Sequence, residues 1–202
     1  MKKLLGLMGA FLLSTPAFAG ISGGVDITSD YLWRGVSQTL GKSAVQWHLE
    51  ADKNGFYAGT WGSQVDFGGE ASVEYDFYGG YSWANEDMSV DVGVINYNYD
   101  TELDSVTEMY IIGGYKFLSL GYFQDKDNTD VDYMEAELAL PIIKFADASL
   151  KYGEFADGSS YKQITISKDL MKGLRVGLEV VSEEAVELDL GDRMAVSLGY
   201  RF

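Results

Sequence analysis

The last ten residues constrain this chain most. From Arg193 to Phe202, Met194, Val196, Leu198, Tyr200 and Phe202 alternate with Arg193, Ala195, Ser197, Gly199 and Arg201. A period of two puts the two sets on opposite faces of one strand. The sequence ends on that strand, so no later segment is available to cover its apolar face, and the expected cover is the hydrocarbon of a bilayer.

The opposite end carries an export signal. Met1, Lys2 and Lys3 form a basic region, Leu4 to Leu13 an apolar stretch, and Pro16-Ala17-Phe18-Ala19 a small-x-small cleavage site before Gly20. The apolar stretch is too short to span a membrane. We therefore expect residues 1–19 to be a cleaved signal and residues 20–202 to be one domain. Together with that signal, the final strand resembles the C-terminal signature by which bacterial outer-membrane β-barrels are recognised for insertion, with Tyr200 and Phe202 as its aromatic positions. The resemblance implies the outer membrane of a Gram-negative bacterium, contact with its lipids and lipopolysaccharide, and the barrel-assembly machinery as a partner.

No later apolar run approaches the roughly 18 residues of a transmembrane helix, so the exported chain is either soluble in the periplasm or inserted as a barrel. The alternation decides for the barrel. About twelve segments of membrane-strand length can be read along the chain. The first runs from Ser22 to Arg34, with Val25, Ile27, Tyr31 and Trp33 outward. Another sets Val73, Tyr75, Phe77, Tyr81 and Trp83 against Glu74, Asp76, Tyr78 and Ser82. Between Phe56 and Ser63 either parity is possible. The expected fold is all-β: a closed, transmembrane, antiparallel up-and-down β-barrel of about 12 strands. Two prolines and 24 glycines suit many strands joined by tight turns.

With the N-terminus in the periplasm, the periplasmic connections come out mostly short, at Asp52–Gly55, Asn85–Asp87 and Phe117–Leu118, with Pro141–Asp147 longer. The extracellular ones come out mostly longer, at Gly35–Lys42, Asp100–Thr107, Asp125–Val131 and Ser182–Gly191. This is the asymmetry of outer-membrane barrels. Trp33 and Trp61 would mark one aromatic girdle, and Trp83, Phe117 and Phe202 the other. In a soluble β-sandwich these aromatics would be core instead, but such a sandwich needs polar outer faces.

The stretch from Asp26 to Thr39, with Ala44-Val45-Gln46, Gly55 to Ser63, Ala71 to Tyr81 and Tyr97-Asn98-Tyr99, resembles the TorF family of porin-like barrels, a bacterial conserved-hypothetical family. The similarity is specific over the first half of the mature chain and only barrel-like beyond Tyr110. It implies an outer-membrane channel of undetermined substrate, and supplies no catalytic residue and no defined binding site.

Charge bears on partners. The net charge is −16, and loss of Lys2 and Lys3 with the signal makes it −18, which argues strongly against a nucleic-acid partner. There is no cysteine, hence no disulfide or thiolate metal site. Neither a cofactor nor a metal is expected. The loop Asp125 to Asp132 begins like a calcium loop, but Asp130 takes the glycine slot and Ala136 the bidentate-glutamate slot, so the pattern fails. It reads as a solvated acidic loop that divalent cations could bridge to lipopolysaccharide phosphates.

The expected inward acids are Asp26, Asp30, Glu50, Glu70, Glu74, Asp76, Asp91, Glu108, Glu135, Glu137 and Glu179. The expected inward bases are Arg34, Lys116, Lys151, Arg175, Arg193 and Arg201. Unpaired charge buried in a dry core would cost several kcal/mol per ion, so this lumen is expected to be wet or heavily paired. The bases fall mostly on contiguous strands and the acids mostly on others, which suggests a transverse field, and the acidic excess favours cations. Arg34 reads either as a constriction residue suited to carboxylates or as a strut to Asp30 or to loop carbonyls. His48, the sole histidine, points inward; paired with Ser72 or Ser82 it would be the one enzymatic arrangement available, but no spacing singles out such a set.

The expected function is passive diffusion of small hydrophilic solutes through a cation-preferring channel. The alternative is a plugged barrel with a structural or adhesive role, or an outer-membrane enzyme.

Overall fold

The computed structural model describes residues 20–69, 71–101, 104–128, 131–141, 143–184 and 192–202. The expected signal segment and Glu70 lie outside them, as does most of the segment between Ser182 and Gly191. Twelve antiparallel strands close into a barrel: β1 (Gly20–Thr28), β4 (Ala44–Lys53), β5 (Phe56–Gln64), β6 (Val73–Ala84), β7 (Met88–Tyr99), β8 (Val106–Tyr115), β9 (Leu118–Asp125), β10 (Tyr133–Ala139), β11 (Asp147–Phe155), β12 (Ser160–Met171), β13 (Leu174–Glu184) and β14 (Arg193–Arg201). Each pairs with its sequence neighbour. β1 and β14 close the ring with Gly24 opposite Arg201 and Thr28 opposite Ser197. Reciprocal backbone bonds between Gly23 and Phe202 extend this seam by one step.

The wall alternates as expected. Tyr75, Phe77, Val196, Leu198 and Tyr200 are exposed on its outside and Val73 is half-buried in the same row, while Glu74, Asp76, Ala195 and Ser197 are buried inside. An apolar surface that runs around the whole barrel suits hydrocarbon and not water. One rim carries two- or three-residue turns at 54–55, 85–87, 116–117 and 172–173, together with the longer 140–146. It also carries the ends of β1 and β14, and Trp83, Phe117 and Phe202 are exposed there. The other rim carries the longer loops.

Four expectations need correction. The first strand ends at Thr28 and not at Arg34: residues 29–43 leave the wall and fold into the barrel around a small hairpin of β2 (Leu32–Trp33) and β3 (Val36–Ser37). Tyr31, expected to face lipid, is therefore only 1% exposed, and Trp33 faces the lumen. The open parity of β5 resolves with Phe56 outward and Tyr57 inward, because the Tyr57 hydroxyl donates to the luminal Asp91 at 2.6 Å. That parity also turns Trp61 inward, where it packs on Tyr31 at 5.2 Å between ring centroids. Trp33 and Trp61 thus form no outer girdle. Lys116, expected in the lumen, sits exposed in the turn between β8 and β9 with φ +54.

Among glycines, Gly62 makes room on the outer wall: a Cβ there would overlap the indole of its cross-strand neighbour Trp47.

Candidate functional site: the lumen and its inserted hairpin

Asp30 organises the segment that enters the barrel. Its Oδ1 accepts hydrogen bonds from the hydroxyls of Ser37 at 2.6 Å and Thr39 at 2.7 Å. The Tyr31 amide donates to the Thr39 hydroxyl at 3.2 Å, and the Gln38 amide donates to the Tyr31 carbonyl at 2.7 Å. Asp30 is therefore bonded within its own loop and is not the partner of Arg34.

The hairpin turns on Arg34 and Gly35, with φ +47 and +91. Two successive positive φ values make the two-residue type I′ connection, which follows the natural twist of paired strands. Glycine meets the second position without strain, and a Cβ there would also lie 2.9 Å from the Tyr161 ring. Arginine at the first position is the unusual choice, and the left-handed region costs a non-glycine residue roughly 1–2 kcal/mol.

The surroundings of Arg34 offset that cost. Its two terminal nitrogens donate to the two carboxylate oxygens of Glu108, each at 2.7 Å. Tyr97 donates to the same carboxylate at 3.0 Å. The guanidinium also lies 4.4 Å from the Trp33 ring centroid, 4.8 Å from that of Phe123 and 4.1 Å from that of Tyr133. A planar, weakly hydrated cation can be stacked on rings and bonded in its plane at once, which an ammonium cannot. Of the two readings of Arg34, the placement is luminal and the contacts are those of a strut, but to Glu108 and not to Asp30.

Below the hairpin, a cavity of about 730 Å³ runs through the lumen towards the short-turn rim, where Phe202, Lys172 and Gly173 line it. Asp26, Arg34, His48, Glu50, Asp76, Glu135, Lys151, Arg175 and Arg201 contribute to its wall. Asp91, Glu108 and Glu179 are inward and buried in the wall around it. Glu137 is bonded to Lys151, and Arg193 shares the inner face of β14 with Ala195.

Four bases of the cavity wall are committed, Arg34 to Glu108 as described, while Lys172 stands exposed at the short-turn rim. Lys151 binds Glu135 at 3.0 Å and Glu137 at 3.4 Å. Arg175 binds Asp147 and Asp169, each at 2.8 Å, and donates to Ser167. Arg201 binds Asp26 at 2.6 Å. By contrast Glu50, Glu74, Asp76, Asp91 and Glu179 make no ion pair among the described residues. The expected separation of signs into a transverse field is therefore largely cancelled by local pairing, and the inward groups left without an ion pair among the described residues are mainly carboxyls. At the loop rim, hydrogen bonds from Lys42, Ser72 and Ser159 hold Asp66, Asp100 and Asp157 respectively below the ordinary carboxylate range, so these acids stay ionised near neutrality.

Among the described residues no enzymatic set is assembled around His48, which lies near Asp26 and Arg201. Ser72 is bonded to Asp100 at the loop rim, and Ser82 faces Asp91 across β6 and β7. In the acidic loop after β9, Asp125 accepts the backbone amides of Asp127 and Asn128.

Sequence reasoning missed the inserted hairpin and the ring of inward aromatics it meets. The usable signal was Trp33-Arg34-Gly35-Val36, two apolar residues flanking a dipeptide suited to a tight turn, followed by hydroxyls at Ser37 and Thr39 that can bond an upstream aspartate.

Solved structures place this architecture. The KdgM porin superposes with a TM-score of 0.64 over 90% of this chain and 98% of its own, at 12% identity. Outer membrane phospholipase A from Escherichia coli gives a TM-score of 0.51 over 92% and 93%, at 13% identity. The Salmonella typhi outer membrane phospholipase dimer with bound calcium gives 0.52 over 90% of each chain, at 12%. At these identities the likeness is one of fold. No curated protein matches the sequence. A family model does match, and it runs through residues 15–196, well past the Tyr110 limit of the motif resemblance, without carrying the TorF name. The chain belongs to that family, the bacterial proteins of unknown function termed Gcw_chp.

Proposed function

We propose that this barrel is an outer-membrane channel for small hydrophilic solutes, that it prefers cations, and that the Arg34 hairpin narrows it to a low conductance. One observation carries the reading: the lumen holds a cavity of about 730 Å³ walled by charged side chains, in which Arg34, Lys151, Arg175 and Arg201 are ion-paired while Glu50 and Asp76 make no ion pair among the described residues. Charge that lines a pore at close range sets its ion selectivity. Acids held ionised at the loop rim add to the same potential outside it.

The likeness to the KdgM porin supports a channel by fold alone. One KdgM structure is described as a complex with disordered oligogalacturonate. A polymer of acidic sugars is a poor fit to the present lumen, whose inward groups without an ion pair among the described residues are mainly carboxyls, so we do not carry that solute over.

The reading also places the chain in the Gram-negative outer membrane, among lipids and lipopolysaccharide, after insertion by the barrel-assembly machinery acting on the Phe202 end. A plugged barrel with a structural or adhesive role is the second reading, favoured by the hairpin that packs into the lumen against inward aromatics. Planar-bilayer recording of the refolded protein separates the two: discrete cation-selective steps support the channel, and a barrel that inserts without conducting supports the plug.

A further inference from the structure

Asp76 is 5% exposed and lines the luminal cavity, yet its Oδ1 meets no hydrogen-bond donor among the described residues. One step along the same inner face, Glu74 is 3% exposed and its Oε2 is also without a donor. Burying an acceptor with no donor forfeits about 1–3 kcal/mol, and more when it is charged. Two such atoms on successive inward positions of β6, one of them on a cavity wall, indicate a place where a donor from outside the chain completes the structure.

The walls say what kind of donor. Register places Trp61 opposite Asp76 on one side and Tyr97 opposite it on the other, so the carboxylate lies between two aromatic side chains. Tyr31, from the inserted segment, packs against Trp61. The Tyr97 hydroxyl is already donated to Glu108, the Tyr31 and Tyr99 hydroxyls approach Glu74, Tyr99 at its Oε1 at 3.5 Å, and no donor among the described residues meets Asp76 Oδ1. Arg34, Lys151, Arg175 and Arg201, which line the same cavity, are bonded to other carboxylates, and Lys172 lies out at the short-turn rim.

We infer that Asp76, supported by Glu74 and walled by Trp61, Tyr97 and Tyr31, forms a luminal binding site for a primary ammonium group on a small apolar stem. The carboxylates supply charge and acceptors for its N–H groups, and the ring faces attract the cation and cover the stem. A metal ion fits poorly, since hard divalent cations need six or more oxygen ligands and these walls are carbon. A quaternary ammonium would satisfy the rings but has no N–H to offer the two orphan oxygens. The cavity reaches the short-turn rim, so the ligand enters from that side. The inference rests on the channel reading only for this route of entry.

The test is isothermal titration of the refolded full chain in detergent with n-propylammonium chloride, tetramethylammonium chloride and propan-1-ol, at constant ionic strength. The site predicts saturable heat for propylammonium, severalfold weaker binding of tetramethylammonium and none of propanol. Asp76→Asn and Glu74→Gln, each shown to be folded by its heat-dependent electrophoretic mobility, should each weaken propylammonium binding about tenfold, as loss of one charge-assisted hydrogen bond does.

Absence of saturable propylammonium binding, or equal binding by wild type and both variants, overturns the site; so does equal affinity for the quaternary ion. A barrel that binds the amine but never conducts keeps this inference and ends the channel reading. One that conducts with cation preference but shows no amine heat does the reverse.

Discussion

Arg34 and Glu108 meet through two parallel hydrogen bonds of 2.7 Å each, although 74 positions separate them in sequence. One comes from a turn that has left the wall, the other from the wall itself, so this pair fixes the inserted hairpin to β8. Both side chains are less than a tenth exposed. Removing one partner of a buried pair costs about 3 to 5 kcal/mol, because the other charge is left uncompensated.

Arg34→Ala and Glu108→Gln should therefore each release the hairpin. The measurement is single-channel conductance together with denaturant unfolding. Both variants should conduct more than wild type and unfold at lower denaturant. The double variant should be no worse than the worse single one, since the two residues act as one unit. Additive losses with unchanged conductance would show that the pair does not hold the hairpin.

The two faces of β12 offer a test of the wall. Ile164 is 45% exposed on the outside, and its neighbour Gln163 lines the cavity. Ile164→Arg should oppose insertion by about 2 to 4 kcal/mol near mid-membrane, while Gln163→Arg should insert normally. Equal yields of inserted protein on refolding into lipid vesicles would contradict the assignment of lipid and lumen.

The seam gives a third expectation. Phe202 exchanges backbone bonds with Gly23, and its ring lies so close that a Cβ on Gly23 would sit 2.7 Å from it. Deleting Phe202 should lower the amount of inserted protein in the cell envelope while leaving the conductance of inserted molecules unchanged. Undiminished surface abundance would remove Phe202 from assembly.

The wall was legible in the sequence because lipid and lumen demand opposite chemistry at successive positions, and the rows Tyr75/Phe77 and Val196/Leu198/Tyr200 obey that demand. The hairpin was not. Val25, Ile27, Tyr31 and Trp33 keep one parity straight through the point at which the chain leaves the wall, and an aromatic packed inside a filled barrel reads the same as one in hydrocarbon. Trp61 was ambiguous for that reason, and Tyr57 settled its strand only through a hydrogen bond to Asp91 on β7. Lys116 was misplaced because strict alternation ignores a two-residue turn with left-handed backbone. Most inward charges on the wall strands, such as Glu74, Asp76 and Arg175, could be listed from parity alone. Their pairing could not, since Arg175 with Asp147 and Arg34 with Glu108 depend on how the closed barrel and its inserted loop bring distant strands together.

The central claim is that uncommitted luminal carboxylates govern passage through this barrel. It is tested most directly by the reversal potential of the refolded protein in a planar bilayer under a potassium chloride gradient, compared with that of a variant carrying Glu50→Gln and Asp76→Asn. Wild type should give a cation-selective potential that weakens as ionic strength rises, because screening shortens the reach of each charge. The variant should shift towards anions at every salt concentration. A barrel that never conducts, or a reversal potential that the two substitutions leave unmoved, would contradict the account.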